Sequence, residues 1–214
     1  MMSEDGVRID TLLLDCDGVL QSVHGERGRR FRHLLGDEGE TFEAELAEAL
    51  PPVQAHRRDF RDVVAGIARI KGWRLDPEDL LKVHIDIERH EPTHVLVAEL
   101  RGRGVQVMLA TNQHQRRGQQ MRTTLGYDLL FDGAFYSWEI GAAKPDPLFF
   151  ERIVDELAAD PQRLLFIDDR VPNVEAARSV GLHAELWHFD DGVDRLREIL
   201  SDHGLPGQRA NSGS

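Results

Sequence analysis

Val7-Arg8-Ile9-Asp10-Thr11-Leu12-Leu13-Leu14-Asp15-Cys16-Asp17-Gly18 is the stretch on which the fold turns. Branched and apolar residues run from Val7 to Leu14 and stop at turn-forming Asp and Gly, which predicts a buried strand. Two carboxylates, Asp15 and Asp17, then stand at its carboxyl end. Acids gathered beside a buried strand repel one another and cost free energy unless something compensates them.

Three later runs resemble the first: Val105 to Ala110, Leu164 to Ile167 and Ala184 to Trp187, with a weaker one at Ala134 to Ser137. Helix-period segments lie between them. Pro92 to Arg101 puts Leu96, Val97 and Leu100 on one face and stops at Gly102. Pro147 to Ala159 follows Asp146 as N-cap and carries Phe149, Phe150, Ile153, Val154 and Leu157 as an apolar stripe. Val174 to Val180 starts behind Asn173, read as an N-cap first and a site residue second, and ends at Gly181. Gly192 to His203 ends at Gly204. The alternation predicts an α/β fold with a doubly wound, Rossmann-like parallel sheet covered on both faces.

Residues 21–90 break the pattern and contain no convincing strand. Phe42, Leu46 and Leu50, then Phe60, Val63, Val64 and Ile67, repeat at helical spacing. Asp76-Pro77-Glu78-Asp79 is a helix start leading to Leu80, Leu81, His84 and Ile85, with Ile87 beyond. The expected organisation is therefore an α/β core of residues 1–20 and 91–204, with a small all-helical cap over 21–90 inserted after the first strand. Residues 205–214 lack apolar periodicity and read as a disordered tail.

Composition narrows the function classes. The 214 residues have 41% hydrophobic content, enough for a packed interior, and no stretch has the length of a membrane span. The formal net charge of -12 disfavours nucleic acid and anionic membranes as partners, so an anionic substrate needs a local positive site. One cysteine and no basic, apolar leader suggest a cytoplasmic protein; the expected assembly is a monomer or homodimer. His90 and His94 stand four apart in His-Glu-Pro-Thr-His, but Pro92 between them breaks a shared helical face, and the histidines read mainly as solvated surface.

Chemistry-bearing residues recur at the predicted strand ends. Thr111-Asn112 follows Val-Met-Leu-Ala, Asp168-Asp169 follows Leu-Leu-Phe-Ile, and Lys144-Pro145 lies in a loop. In a doubly wound sheet, ligands bind outside the carboxyl ends of the strands, where the strand order reverses. Carboxylates brought together there, without histidine or cysteine partners, favour a hard cation such as Mg²⁺. A neighbouring ammonium, hydroxyl and amide suit phosphate. Each residue also has an ordinary reading: turn caps for Asp15 and Asp17, a strand end for Thr111, an N-cap for Asn112, a solvated loop for Lys144, and a helix-dipole partner for Asp168-Asp169.

Asp-Cys-Asp-Gly-Val-Leu, Leu-Ala-Thr-Asn, Ala-Lys-Pro-Asp-Pro and Phe-Ile-Asp-Asp-Arg, in this order, resemble the four motifs of the haloacid dehalogenase-like (HAD) hydrolase superfamily, here its helical-cap phosphatase branch. The resemblance covers most of residues 7–190, and four motifs in strand-end context weigh far more than a lone DxD. It implies that Asp15 is the nucleophile and Asp17 the general acid and base, through an aspartyl-phosphate. It implies that Thr111, the amide of Asn112 and Lys144 bind phosphate. Mg²⁺ would be held by Asp15, the carbonyl of Asp17 and the second acidic pair, with Asp169 as direct ligand and Asp168 behind it. Dehalogenases of the superfamily lack the acid two positions after the nucleophile, so Asp17 favours phosphoryl transfer. The implied activity is hydrolysis of a small phosphorylated metabolite, a sugar phosphate among the candidates. A phosphomutase of the same superfamily is the alternative, although 21–30 offers no secure Thr and His hinge pair. A phosphate-binding regulator without turnover is the other.

Further residues stand near these motifs. Cys16 reads as a small apolar residue turned away from the ligand, its pKa raised by flanking acids. Arg27, Arg29, Arg30 and Arg32 read as a solvated Gly-Arg loop before a second anion site, and Arg116, Arg117 and Arg122 likewise. Trp73 and Phe60 read as cap core, and His24 as a substrate contact of low weight.

Overall fold

The computed structural model describes residues 8–23, 27–55, 58–73 and 76–207. Its strands are β1 (Thr11–Leu14), β2 (Gln21–Val23), β3 (Ile87–Arg89), β4 (Gln106–Thr111), β5 (Gly133–Tyr136), β6 (Leu164–Asp168) and β7 (His183–Leu186). The helices are α1 (Arg27–Leu35), α2 (Gly39–Gln54), α3 (Phe60–Lys71), α4 (Pro77–Ile85), α5 (Glu91–Gly102), α6 (Gln115–Thr123), α7 (Tyr127–Leu130), α8 (Ser137–Ile140), α9 (Pro147–Leu157), α10 (Val171–Ser179) and α11 (Val193–Asp202).

Five strands form one parallel sheet in the order β5-β4-β1-β6-β7. The chain moves outward from β1 to β4 and β5, then returns to the far side of β1 for β6 and β7. The order in which strands are added reverses beside β1, which opens the crevice where such sheets bind ligands. The apolar runs are nearly continuous because both faces are covered. Leu12, Leu14, Val107, Leu109, Leu165 and Ile167 point into one core layer with Leu96 and Leu100 of α5 and Leu196 of α11. Leu13, Met108, Ala110, Leu164 and Phe166 point into the other, against Phe149 and Phe150 of α9 and Val174 of α10. Each fully buried side chain of this kind contributes about 1.5–3 kcal/mol.

The helical segment has its own core of Phe31, Phe42, Leu46, Val53, Phe60, Val63, Leu80 and Leu81. A methyl on Gly39 would lie 2.5 Å from the Arg32 backbone N, so α1 and α2 pack at a distance only glycine permits. Trp73 packs here too, against Phe42.

The structure corrects several expectations. Residues 21–90 are not strand-free: Gln21–Val23 and Ile87–Arg89 form an antiparallel ribbon at the root of the insertion. Three residues per strand are too few to display a period of two. Arg29, Arg30 and Arg32 lie on α1, not in a loop, and Arg30 and Arg32 pair with Asp86 and Glu40. α2 continues through Pro51 and Pro52 to Gln54, beyond the periodic run that ends at Leu50. α6 carries one apolar residue on its buried side, Met121, and so lacks the stripe by which sequence finds a helix. Leu205 is buried in the main core, which carries ordered chain past 204. Residues 208–214, Val7 and His24 lie outside the described residues. Among the described residues no helix is long and apolar enough to cross a membrane.

Candidate active site

Register assembles the site. Leu14 pairs with Leu109 on one side and Ile167 on the other, so Asp15, Thr111 and Asp168 emerge at one edge of the sheet. Asp15, Asp17, Thr111, Asn112, Lys144 and Asp169 line a single cleft of about 320 Å³ there, with Asp168 directly beneath. Carboxylate oxygens of Asp15, Asp168 and Asp169 all lie within 4.8 Å of one another.

Lys144 is the counter-ion of this cluster. Its buried Nζ lies 2.7 Å from Asp15 Oδ1 and 2.6 Å from Asp168 Oδ2, and donates to the Ala110 carbonyl at 2.9 Å. Burial alone would lower its pKa, but the two carboxylates reverse the sign and hold the ammonium charged. Asn112 fastens the loop that carries it. The Asn112 side chain donates to the Lys144 carbonyl at 2.7 Å and accepts from the Lys144 N–H at 2.9 Å. That side chain is thereby committed, and what Asn112 can present to an anion is its backbone N–H.

The two acids of the last motif differ in surroundings. Asp168 is fully buried and receives Lys144, the Arg170 N–H at 2.8 Å and Asn173 Nδ2 at 2.9 and 3.0 Å. Asp169 is half-buried and faces the cleft, its pKa raised by burial and by Asp168. Asn173 is not an N-cap. α10 starts at Val171, so Asn173 sits in its first turn, where the two hydrogen bonds to Asp168 employ it. The preceding Pro172 is tolerated at that helix start, which displaced the boundary from the one expected.

Burial raises the Asp15 carboxyl to about 7; Lys144 opposes this, while Asp168 and Asp17 add to it. Cys16 is buried, and burial followed by Asp17 and Asp15 pushes its thiol well up, as its place between acids suggested.

Asp17 has partners that the sequence did not announce. Arg117, 1% exposed, places Nη2 2.7 Å from Asp17 Oδ1 and Nη1 against Oδ2. Gln21 Nε2 donates to Oδ1 at 2.9 Å and Gln113 Nε2 to Oδ2 at 3.2 Å. The expectation of a solvated Arg117 is therefore corrected: it is buried because α6 starts at the carboxyl end of β4 and its first turn faces the crevice. A helix opening immediately after a motif strand was the available signal. Arg116 does sit at the surface, paired with Glu78, whereas Arg122 is half-buried, paired with Glu139 and 4.4 Å from the Tyr136 ring centroid.

The surface reading also fails for three histidines. His84, His94 and His114 are buried. His114 stacks on Phe60 with centroids 3.9 Å apart and lies 3.3 Å from His84, which ties the start of α6 to α3 and α4 of the helical segment. Gln54 at the end of α2 reaches the cleft and donates to the Asn112 carbonyl at 3.3 Å.

Comparison with known proteins gives the family and the fold. A model of the haloacid dehalogenase-like hydrolases matches residues 9–181. The chain is 38% identical over 105 residues to sesquiterpene phosphatase astK of Aspergillus oryzae, covering 49% of this chain and 52% of that protein. It is 27% identical to N-acetylmuramic acid 6-phosphate phosphatase of Pseudomonas aeruginosa, covering 91% of this chain and 94% of that protein. The chain spans about half or less of the length of the first curated relatives it matches. A HAD family enzyme of Bacteroides thetaiotaomicron, solved in complex with magnesium and inorganic phosphate, superposes with a TM-score of 0.72 at 20% identity, over 83% of this chain and 93% of that one.

Proposed function

The chain belongs to the haloacid dehalogenase-like hydrolases, and from that premise we propose that it is a Mg²⁺-dependent phosphatase of a small, hydroxylated phosphate monoester such as a sugar phosphate. The observation that carries this reading is the cluster of Asp15, Asp168 and Asp169 around one point, with Lys144 bridging two of them and Asp17 on the same cleft.

The donor set fits a hard divalent cation. It consists of carboxylates, without histidine or thiolate, and two buried cations, Lys144 and Arg117, oppose four carboxylates. Asp15, Asp169 and the backbone carbonyl of Asp17 would hold the ion, with Asp168 orienting Lys144 and Asn173 behind them. Bound there, Mg²⁺ supplies neutralisation of phosphoryl charge.

The chain's own residues perform the rest. Thr111, the Asn112 backbone N–H and Lys144 orient the phosphoryl oxygens. An Asp15 oxygen bonds to phosphorus as the ester P–O bond breaks, and Asp17, once protonated and released from Arg117, gives its proton to the departing oxygen. In the second step Asp17 takes a proton from water, the water oxygen bonds to phosphorus, and the bond to Asp15 breaks. Ser22, Gln54, Arg170 and His188 give the cleft a polar rim beyond the phosphate position, with Phe189 as its aromatic member. That lining suits a hydroxylated leaving group better than an apolar chain. Two relatives that align along most of the chain are named phosphorylated carbohydrates phosphatase and N-acetylmuramic acid 6-phosphate phosphatase.

The test is a panel of sugar phosphates, nucleotides and short phosphorylated acids assayed with Mg²⁺. Phosphate release by the wild type and none by Asp15→Asn is expected. Isomerised product without phosphate release, or undiminished turnover by Asp15→Asn, overturns the reading.

A further inference from the structure

We propose that Gln113 is the positioning residue for the Thr111 hydroxyl: its side-chain amide occupies the acceptor side of that oxygen and commits the hydroxyl proton to a phosphoryl oxygen in the cleft. This rests on the phosphatase reading above, in which Thr111 orients the phosphoryl group. Thr111 closes β4, is 1% exposed and lines the cleft. Its branched Cβ makes χ1 stiff, so the oxygen is fixed and only the O–H bond turns. A hydroxyl has one proton to give and two lone pairs to accept with, and its rotor settles where the neighbours put it.

Gln113 decides that setting because its own orientation is fixed. Gln113 Oε1 accepts from Arg117 Nη1 at 2.8 Å. A guanidinium has donors only, so the amide oxygen must face it, and a flipped amide would also set an oxygen against the Asp17 carboxylate. The NH₂ end therefore faces the other way. It lies 3.1 Å from Thr111 Oγ1 and 3.2 Å from Asp17 Oδ2, one N–H for each. The backbone is pinned as well: the Gln113 N–H donates to Ser137 Oγ at 3.0 Å, and the Ser137 hydroxyl donates to the Gln113 carbonyl at 3.2 Å. Gln113 and Ser137 are both buried.

Thr111 Oγ1 is thus an acceptor toward Gln113, and its proton has to point elsewhere. Among the described residues, the hydrogen bond that Thr111 Oγ1 makes is the one it accepts from Gln113. The open side is the cleft, which Asn112 and Lys144 line with it. An anion entering there meets a donor already turned toward it, with no rotor to reorient on binding. The same amide with its ends exchanged would take the proton for itself.

The experiment is a double-mutant cycle on inorganic phosphate. Phosphate affinity is measured by calorimetry with Mg²⁺ present in wild type, Gln113→Met, Thr111→Val and the double variant. Gln113→Met keeps an unbranched chain of similar length and removes the N–H groups. It is expected to weaken phosphate binding about threefold or more while the Thr111 hydroxyl is present, and by less than about twofold once Thr111→Val has removed it. Thr111→Val alone should cost about tenfold or more, since hydrogen bonds to charged groups are the stronger class. Gln113→Asn, whose amide stops one methylene short, covers the case in which Gln113→Met does not fold, and should show the same coupling. Equal losses from the Gln113 substitution with and without the hydroxyl overturn the proposal, because a residue that only braces Arg117 or Asp17 weakens both backgrounds alike. No loss in either background overturns it too. A wild type that neither binds phosphate with Mg²⁺ nor releases it from a sugar phosphate defeats the phosphatase reading itself, and the proposal with it.

Discussion

Gly18 faces Asp169 so closely that a methyl on its Cα would lie 2.5 Å from Asp169 Oδ2. The turn after the first motif and the acid of the last one therefore share a space that admits no side chain. Gly18 also has φ +81, a conformation that other residues adopt at a cost of about 1 kcal/mol or more. Gly18→Ala is expected to displace Asp169, weaken Mg²⁺ binding about tenfold or more, and leave the core folded. Calorimetric Mg²⁺ titration beside a far-ultraviolet spectrum checks this; unchanged affinity would show that Asp169 is not a ligand.

Lys144→Met removes the cation that bridges Asp15 and Asp168. Two carboxylates then remain buried without their counter-ion, at a cost of about 3–5 kcal/mol. Denaturant unfolding should show the loss, and saturating Mg²⁺ should return part of it, since the ion stabilises the same acids.

Asn173→Ala takes two hydrogen bonds from a fully buried carboxylate. Bonds to charged groups contribute about 1.5–3 kcal/mol, and stability should fall by about that much. Asn173→Asp should be worse, because it places a third acid against Asp168. Equal stability of the two variants would count against a role for Asn173 as a donor.

His114 should give the fold an acid-sensitive component. Burial, with Arg117 and Arg116 nearby, lowers its pKa to about 3 against an ordinary 6.5. Between these values the unfolded chain binds a proton that the native protein refuses, so stability falls as pH drops through 6.5. His114→Phe keeps the stack on Phe60 and removes the titration. Urea midpoints at pH 7 and pH 5 should differ less in this variant than in the wild type.

Much of the molecule was legible before any coordinates. The β1 run, the Asp146-Pro147 and Asp76-Pro77 helix starts and the strand-end acids are local signals, and their N-cap hydrogen bonds are present. Short or unstriped elements were not legible. The Gln21–Val23 ribbon is too brief to alternate, and α6 has one buried apolar residue to mark its inner face.

The sequence by itself determined the order of the motifs and the chemistry of their side chains, because hydrophobic period and turn residues act over a few neighbours. Only the tertiary structure decided which charges meet. Arg117 and Asp17 stand 100 residues apart, and Lys144 reaches Asp168 across 24. Such pairs depend on strand order and on which helix face turns inward, and burial selects among the cations that a sequence offers.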